Sequence, residues 1–104
     1  SSKGFDCSGY TMYVMQHFGY NLPHTATGQM AHGTSVAKSA LQPGDLVFFC
    51  DPSRSGGKAA SHVGIYIGSN QFIHASSGGG KVQIDSLSKA YYAQYYVGAR
   101  RLAN

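Results

Sequence analysis

Val63-Gly64-Ile65-Tyr66-Ile67-Gly68 restricts the fold of this chain more than any other stretch: it is β-branched, nearly uncharged, and has glycines where a neighbouring strand can approach closely. It reads as a central strand that begins at His62. Ser69-Asn70 is turn material, and Gln71-Phe72-Ile73-His74-Ala75 is the returning strand. Upstream, Leu41-Gln42-Pro43-Gly44-Asp45 puts Pro and Gly at the centre of a type II turn, which delivers the chain into a strand over Leu46 to Cys50. Downstream, Lys81 to Ile84 and Tyr95 to Leu102 read as further strands.

The helical signals lie mostly before this run. Tyr10 to Phe18 is apolar and stops at Gly19, a buried helix of about three turns, and Asp6 is placed to cap it so that Cys7 falls in the first turn. Thr25 caps a short helix reaching Ala31-His32 and ended by Gly33, and Ser86 caps a helical turn through Tyr92. Asp51 to Ser61 is rich in Pro, Ser and Gly; it reads as an exposed loop and, lying just before His62, as a candidate lid. Helices followed by hairpin-linked strands predict an α+β fold, with N-terminal helices packed on an antiparallel sheet of about five strands. A chain of 104 residues, 42% hydrophobic, buries one modest core, so residues 1–104 are expected to form a single domain.

Composition removes several functions. The 4 acidic residues, Asp6, Asp45, Asp51 and Asp85, include no glutamate, thin material for the paired carboxylates of glycoside hydrolysis. The net charge of +4 is dispersed, with Arg100-Arg101 the only adjacent basic pair, so solubility explains it and nucleic-acid binding is not expected. No apolar run approaches membrane-spanning length. His17, His24 and His32 invite a metal site, but no CxxC, HxxxH or HExxH spacing accompanies them, so neither metal nor cofactor is expected. A Cys7–Cys50 disulfide would silence Cys7, and Cys50 is read instead as a packing residue at a strand end.

Cys7 is the candidate nucleophile. At a helix N-terminus the unpaired N–H groups favour thiolate, and such settings bring a cysteine pKa from roughly 8.5 to about 3.5–7.5. Period-two alternation puts His62, Gly64 and Tyr66 on one strand face, and Phe72, His74 and Ser76 on one face of the next. A three-residue connection, or a bulge of the same parity, makes His62 and His74 same-face neighbours with Cβ atoms roughly 7–8 Å apart or less; a two-residue connection separates them. With the first parity, His62 is the base and His74 orients it, the set that cysteine catalysis requires.

These residues resemble the NlpC-type cell-wall cysteine peptidases, which are papain-like in fold. The matching blocks are Gly4-Phe5-Asp6-Cys7-Ser8-Gly9, Leu22-Pro23, Gln29, Leu41 to Phe49, Ser61 to Gly68 and Phe72 to Ala75, in family order, over about residues 4 to 102. The resemblance implies a catalytic triad of Cys7, His62 and His74. It also implies cleavage of an amide in peptidoglycan stem peptides, typically D-γ-glutamyl to diamino acid, by a secreted or cell-envelope enzyme, taken as a monomer. Asp6, Ser8 and Ser61 are implied to hold the peptide, and the Cys7 backbone N–H to serve the oxyanion. Two features depart from the family pattern: the usual upstream helix with its aromatic-Gly-Gly approach is lacking, and His24 stands where many relatives have arginine. Two rival functions fit the same residues, a non-catalytic wall-binding module and an acyltransferase or transpeptidase using the same thiol.

Overall fold

In the computed structural model, which describes residues 6–76 and 81–102, four helices accompany a six-stranded antiparallel sheet. Helices α1 (Cys7–Gln16) and α2 (Ala26–Gln29) come first, followed by β1 (Thr34–Ser35), a 3₁₀ turn (Lys38–Ala40), β2 (Leu46–Phe49) and α3 (Pro52–Ser55). Then come β3 (His62–Gly68), β4 (Gln71–Ala75), β5 (Val82–Ser86), α4 (Ala90–Tyr95) and β6 (Tyr96–Arg101). The sheet order is β1-β6-β2-β3-β4-β5. One strand exceeds the sequence expectation because β1 is only two exposed residues, created by pairing Thr34 with Arg101 and Ser35 with Arg100. Such a strand has no periodicity to betray it.

Asp6 caps α1 as its sequence suggests, accepting from the Gly9 N–H at 2.7 Å. The helix ends two residues before Phe18, however, and is buried on one side only: Tyr13 and Phe18 are 48% and 68% exposed. Pro43-Gly44 forms the expected turn, closed by Asp45 N–H to Gln42 O at 3.0 Å, with Gly44 at the positive φ of 98° that a type II turn demands. It delivers β2, whose four residues are all buried.

Alternation along β2 explains how this is possible. Leu46 and Phe48 join Val63, Ile65, Met15, Leu22 and Ala26 on the face covered by α1 and α2. Val47 and Phe49 join Phe72, Leu87 and Ala99 on the other, where Tyr92 and Tyr95 of α4 pack. The central strand is therefore buried on both sides.

The β3–β4 connection decides where the histidines go. Its turn is the two residues Ser69 and Asn70, at φ 53° and 62°, the left-handed pair that suits a tight hairpin. Yet Gly68 pairs with Gln71 and Tyr66 with Phe72, so Ile67 is an extra residue, a bulge that restores the parity of a three-residue loop. His74 consequently lies against Gly64. A Cβ on Gly64 would fall 2.7 Å from the Phe72 ring, and 3.1 Å from both His74 Cβ and the Ile73 carbonyl. Gly64→Ala is therefore expected to cost about 1–3 kcal/mol by overpacking and to displace His74; urea denaturation of the variant measures the first effect.

The segment expected to be an exposed loop and candidate lid is exposed at 52–54 and 56–59, contains the short helix α3, and is anchored at both ends. Asp51 caps α3, accepting from the Ser53 N–H at 2.9 Å, and also accepts from Tyr91 Oη at 2.8 Å. At the far end the Thr27 hydroxyl donates to the Ala60 carbonyl (3.1 Å) and lies 3.2 Å from the Ala60 N–H. Both Asp51 and Ala60 are buried.

Candidate active site

Cys7 opens α1, and α1 packs on β3, so the sulfur comes to rest against the start of that strand. The backbone N–H groups of Val63, Ser8 and Cys7 itself face it. The structure thus brings the thiol to the residue next to His62, reaching the Val63 backbone rather than the imidazole. Its ionisation differs from the sequence expectation. Burial pushes the thiol pKa above its ordinary value, and the Asp6 carboxylate pushes the same way, outweighing the three N–H groups. The residue that caps the helix thereby opposes the thiolate that the helix favours. Cys7 rests as a neutral thiol.

The two histidines meet directly. His62 Nε2 and His74 Nδ1 are 2.7 Å apart, with the rings nearly perpendicular at 89°. His74 is completely buried, with the Phe72 ring 4.5 Å and the Tyr92 ring 5.4 Å away, centroid to centroid. Burial holds its pKa below the ordinary imidazole range despite an opposing carboxylate. His62 is depressed as well. Burial, then the positive potential of His74 and Arg54, depress it from 6.5 to about 4, with Asp85 opposing in part. At neutral pH both rings are uncharged, and the Nδ1 of His62 is the ring nitrogen not committed to His74.

That depression makes a stability prediction. Between pH 6.5 and about 4 the unfolded chain binds a proton at His62 that the folded chain does not, so stability rises with pH across this window and is lost on acidification. His74 adds in the same direction. Denaturant unfolding at pH 7 and pH 4 is expected to differ by about 2–3 kcal/mol from His62, with the lower midpoint in acid.

A fourth residue, absent from the sequence reading, completes the row. Asp85 Oδ2 is 2.7 Å from His74 Nε2 and accepts from Gln83 Nε2 at 2.6 Å, and Lys89 Nζ lies 3.4 Å from Oδ1. Burial raises its pKa, but the hydrogen bonds from Gln83, His74 and Lys89 together hold it below the ordinary carboxylate range. It is ionised at neutral pH. β5 carries it opposite Phe72, beside the Gln83–His74 pair. The signal available in sequence was only that one of 4 acidic residues directly follows a predicted strand. The Gly78-Gly79-Gly80 connection fixes no register from which its partner could be deduced, and it lies outside the described residues.

The three residues implied to hold substrate are placed differently from one another. Asp6 is exposed; besides capping α1 its Oδ1 lies 3.2 Å from His24 Nε2. Ser8 is buried and donates to the His24 carbonyl at 3.4 Å. The Ser61 hydroxyl accepts from the Asp51 N–H at 2.9 Å and donates to the Phe49 carbonyl at 3.4 Å. Both hydroxyls are thus engaged by backbone, while the Asp6 carboxylate keeps solvent access.

Of the remaining candidates, His17 Nδ1 contacts the Tyr13 carbonyl at 2.9 Å, and among the described residues no group of three or more His, Cys, Asp or Glu is placed to hold a metal. Both cysteines are free; Cys50 Sγ donates to the Lys58 carbonyl at 3.5 Å. A residue matched only as part of a family block has a structural task. Gln29, 0% exposed, donates through Nε2 to the Ser8 and Pro23 carbonyls at 3.0 and 2.9 Å and accepts from the Thr11 hydroxyl at 2.6 Å. It fastens the first turn of α1 to α2.

The chain is similar to known proteins over most of its length. The family model for the NlpC/P60 family matches residues 1–101. The chain is 44% identical over 98 residues to a probable endopeptidase p60 of Listeria seeligeri, covering 94% of this chain and 17% of that protein. It is 42% identical over 103 residues to the murein DD-endopeptidase MepS/murein LD-carboxypeptidase of Escherichia coli strain K12, covering 98% of this chain and 52% of that one. The crystal structure of an NlpC/P60 family protein from Bacillus cereus superposes with a TM-score of 0.84 at 38% identity, over 94% of this chain and 32% of that one. The chain thus spans about half, or less, of the length of these relatives.

Proposed function

The chain belongs to the NlpC/P60 family, and on that premise we propose that it carries the catalytic centre of a peptidoglycan endopeptidase acting in the cell envelope. The observation that carries the reading is the pair of neutral imidazoles 2.7 Å apart, His62 opening β3 and His74 on β4, with a neutral thiol at the head of α1 against the Val63 backbone. An uncharged imidazole keeps a ring-nitrogen lone pair that can accept a proton.

In the proposed reaction the Cys7 sulfur bonds to the carbonyl carbon of a stem-peptide amide as its proton passes to His62 Nδ1. That proton then goes to the departing amine as the C–N bond breaks, leaving a thioester. Water, losing a proton to the same nitrogen, releases the acid and restores the thiol. The backbone N–H of Cys7 serves the oxyanion, and the exposed Asp6 carboxylate faces the amino groups of the stem peptide. Because the thiol begins protonated, base and nucleophile act together rather than as a preformed ion pair.

We assign the cut to the D-γ-glutamyl to diamino acid bond. The name of the E. coli relative favours a second reading, cleavage of a bond between two D-centres of the same polymer. Digestion of purified peptidoglycan followed by mass spectrometry of the muropeptides distinguishes them. Truncated stems ending in glutamate support the first bond, separated cross-links with full-length stems support the second, and retention on the wall with no new fragment contradicts both.

A further inference from the structure

We propose that Asp85 is a positioning residue that fixes the tautomers of His74 and His62 and so delivers an unprotonated Nδ1 toward Cys7. This deepens the endopeptidase reading and rests on it.

The argument is a count of hydrogens. An ionised carboxylate can only accept, so the 2.7 Å contact to Asp85 Oδ2 requires the hydrogen of neutral His74 on Nε2. Its Nδ1 is then a bare lone pair. The 2.7 Å contact between that nitrogen and His62 Nε2 in turn requires a hydrogen on His62 Nε2. One hydrogen per neutral ring leaves His62 Nδ1 bare, the state a base must have before it takes the thiol proton. The direction of the whole row is set at its far end, by the one member that cannot donate.

The surroundings support a fixed charge there. Gln83 donates to the same oxygen at 2.6 Å, and Lys89 stands 3.4 Å from the other. His74 is walled by Phe72 and Tyr92, and both its ring nitrogens are engaged, one by His62 and one by Asp85. Among the described residues, the charged and titratable groups acting on this row are Arg54 from α3, Lys89 from the turn before α4 and Tyr92 from α4, while Asp6, the N-cap of α1, acts on Cys7. Asp85 is the carboxylate in hydrogen-bond contact with either ring.

Long-range proton–nitrogen correlation spectra of histidine-labelled protein at neutral pH read the tautomers directly. The wild-type chain is expected to show both His62 and His74 protonated on Nε2; a His62 protonated on Nδ1 overturns the proposal with no variant needed. In Asp85→Asn, whose amide can donate as well as accept, the His62 signature is expected to become mixed. kcat should fall about ten- to hundredfold with little change in KM, less than the roughly ten-thousandfold loss when the direct orienter of a serine triad is neutralised, because His74 stands between. Asp85→Glu, which keeps an acceptor-only group, is expected to restore the wild-type tautomers. An Asp85→Asn chain with wild-type tautomers and wild-type kcat overturns the proposal while leaving the endopeptidase reading intact. Persistent hydrolysis by Cys7→Ala would instead remove that reading.

Discussion

Cys7→Ala is expected to abolish hydrolysis of purified peptidoglycan, a loss on the order of a thousandfold or more, while leaving the thermal midpoint close to that of the parent. The two halves have separate causes. Activity disappears because the proposed nucleophile is gone: Cys50 is the only other thiol in the sequence, and it follows β2 with its sulfur bonded to Lys58 O. Stability survives because alanine is a good helix former at the first position of α1, and because the Asp6 cap bonds to Gly9 rather than to residue 7. Burial already keeps the sulfur uncharged, so no ionised group loses a partner. His62→Ala is expected to cost about as much as Cys7→Ala, and the two together little more, since the proposed mechanism has nucleophile and base act in one step. Cys50→Ser retains most of the activity. Muropeptide release measured for each variant checks the set.

Gln29→Ala is expected to destabilise the fold by about 2–4 kcal/mol, a large part of the roughly 5–15 kcal/mol that holds a domain of this size together. Its amide donates to two carbonyls and accepts one hydroxyl, all within a side chain 0% exposed to solvent. Removal strands the Pro23 carbonyl and opens a void. The Thr11 hydroxyl loses less, because the Ser8 carbonyl lies 3.0 Å away. The Ser8 carbonyl belongs to the residue that follows Cys7, in the same first turn of α1. Loss of Gln29 should therefore loosen the nucleophile's turn, lowering kcat even at temperatures where the variant stays folded. Urea denaturation and assays well below the midpoint separate the two effects.

How far the sequence reached follows from which physical signals are local. The strands after residue 41 were legible because apolar β-branched runs punctuated by Pro-Gly and Ser-Asn have few alternatives. The pairing of His62 with His74 was legible only through parity. The turn turned out to be two residues long, and the extra residue lay inside β3 at Ile67, yet the face assignment depends on the sum and survived. β1 was not legible because its two residues become a strand only by meeting β6, and α3 hid within a stretch whose Pro, Ser and Gly signalled a loop.

The chemistry was harder to read than the fold. A helix N-terminus was expected to lower the Cys7 pKa, but that expectation left out the desolvation at the α1–β3 contact and the charge of the capping Asp6, and the balance reversed. Asp85 was invisible for a topological reason: its partner is chosen by the register of β5, which follows a glycine connection of no predictable geometry. His62 could be named from its strand, whereas the carboxylate at the far end of the row could be named only once the β4–β5 pairing was known.

The account stands on one covalent event at one sulfur. Rapid acid quenching of the wild-type chain with a soluble stem-peptide fragment, followed by proteolysis and mass spectrometry, looks for it directly. The expected result is a thioester adduct on the peptide containing Cys7, carrying the acyl half of the cleaved substrate and absent from Cys7→Ala. Turnover of the same fragment with no adduct at Cys7, and undiminished in Cys7→Ala, would contradict it.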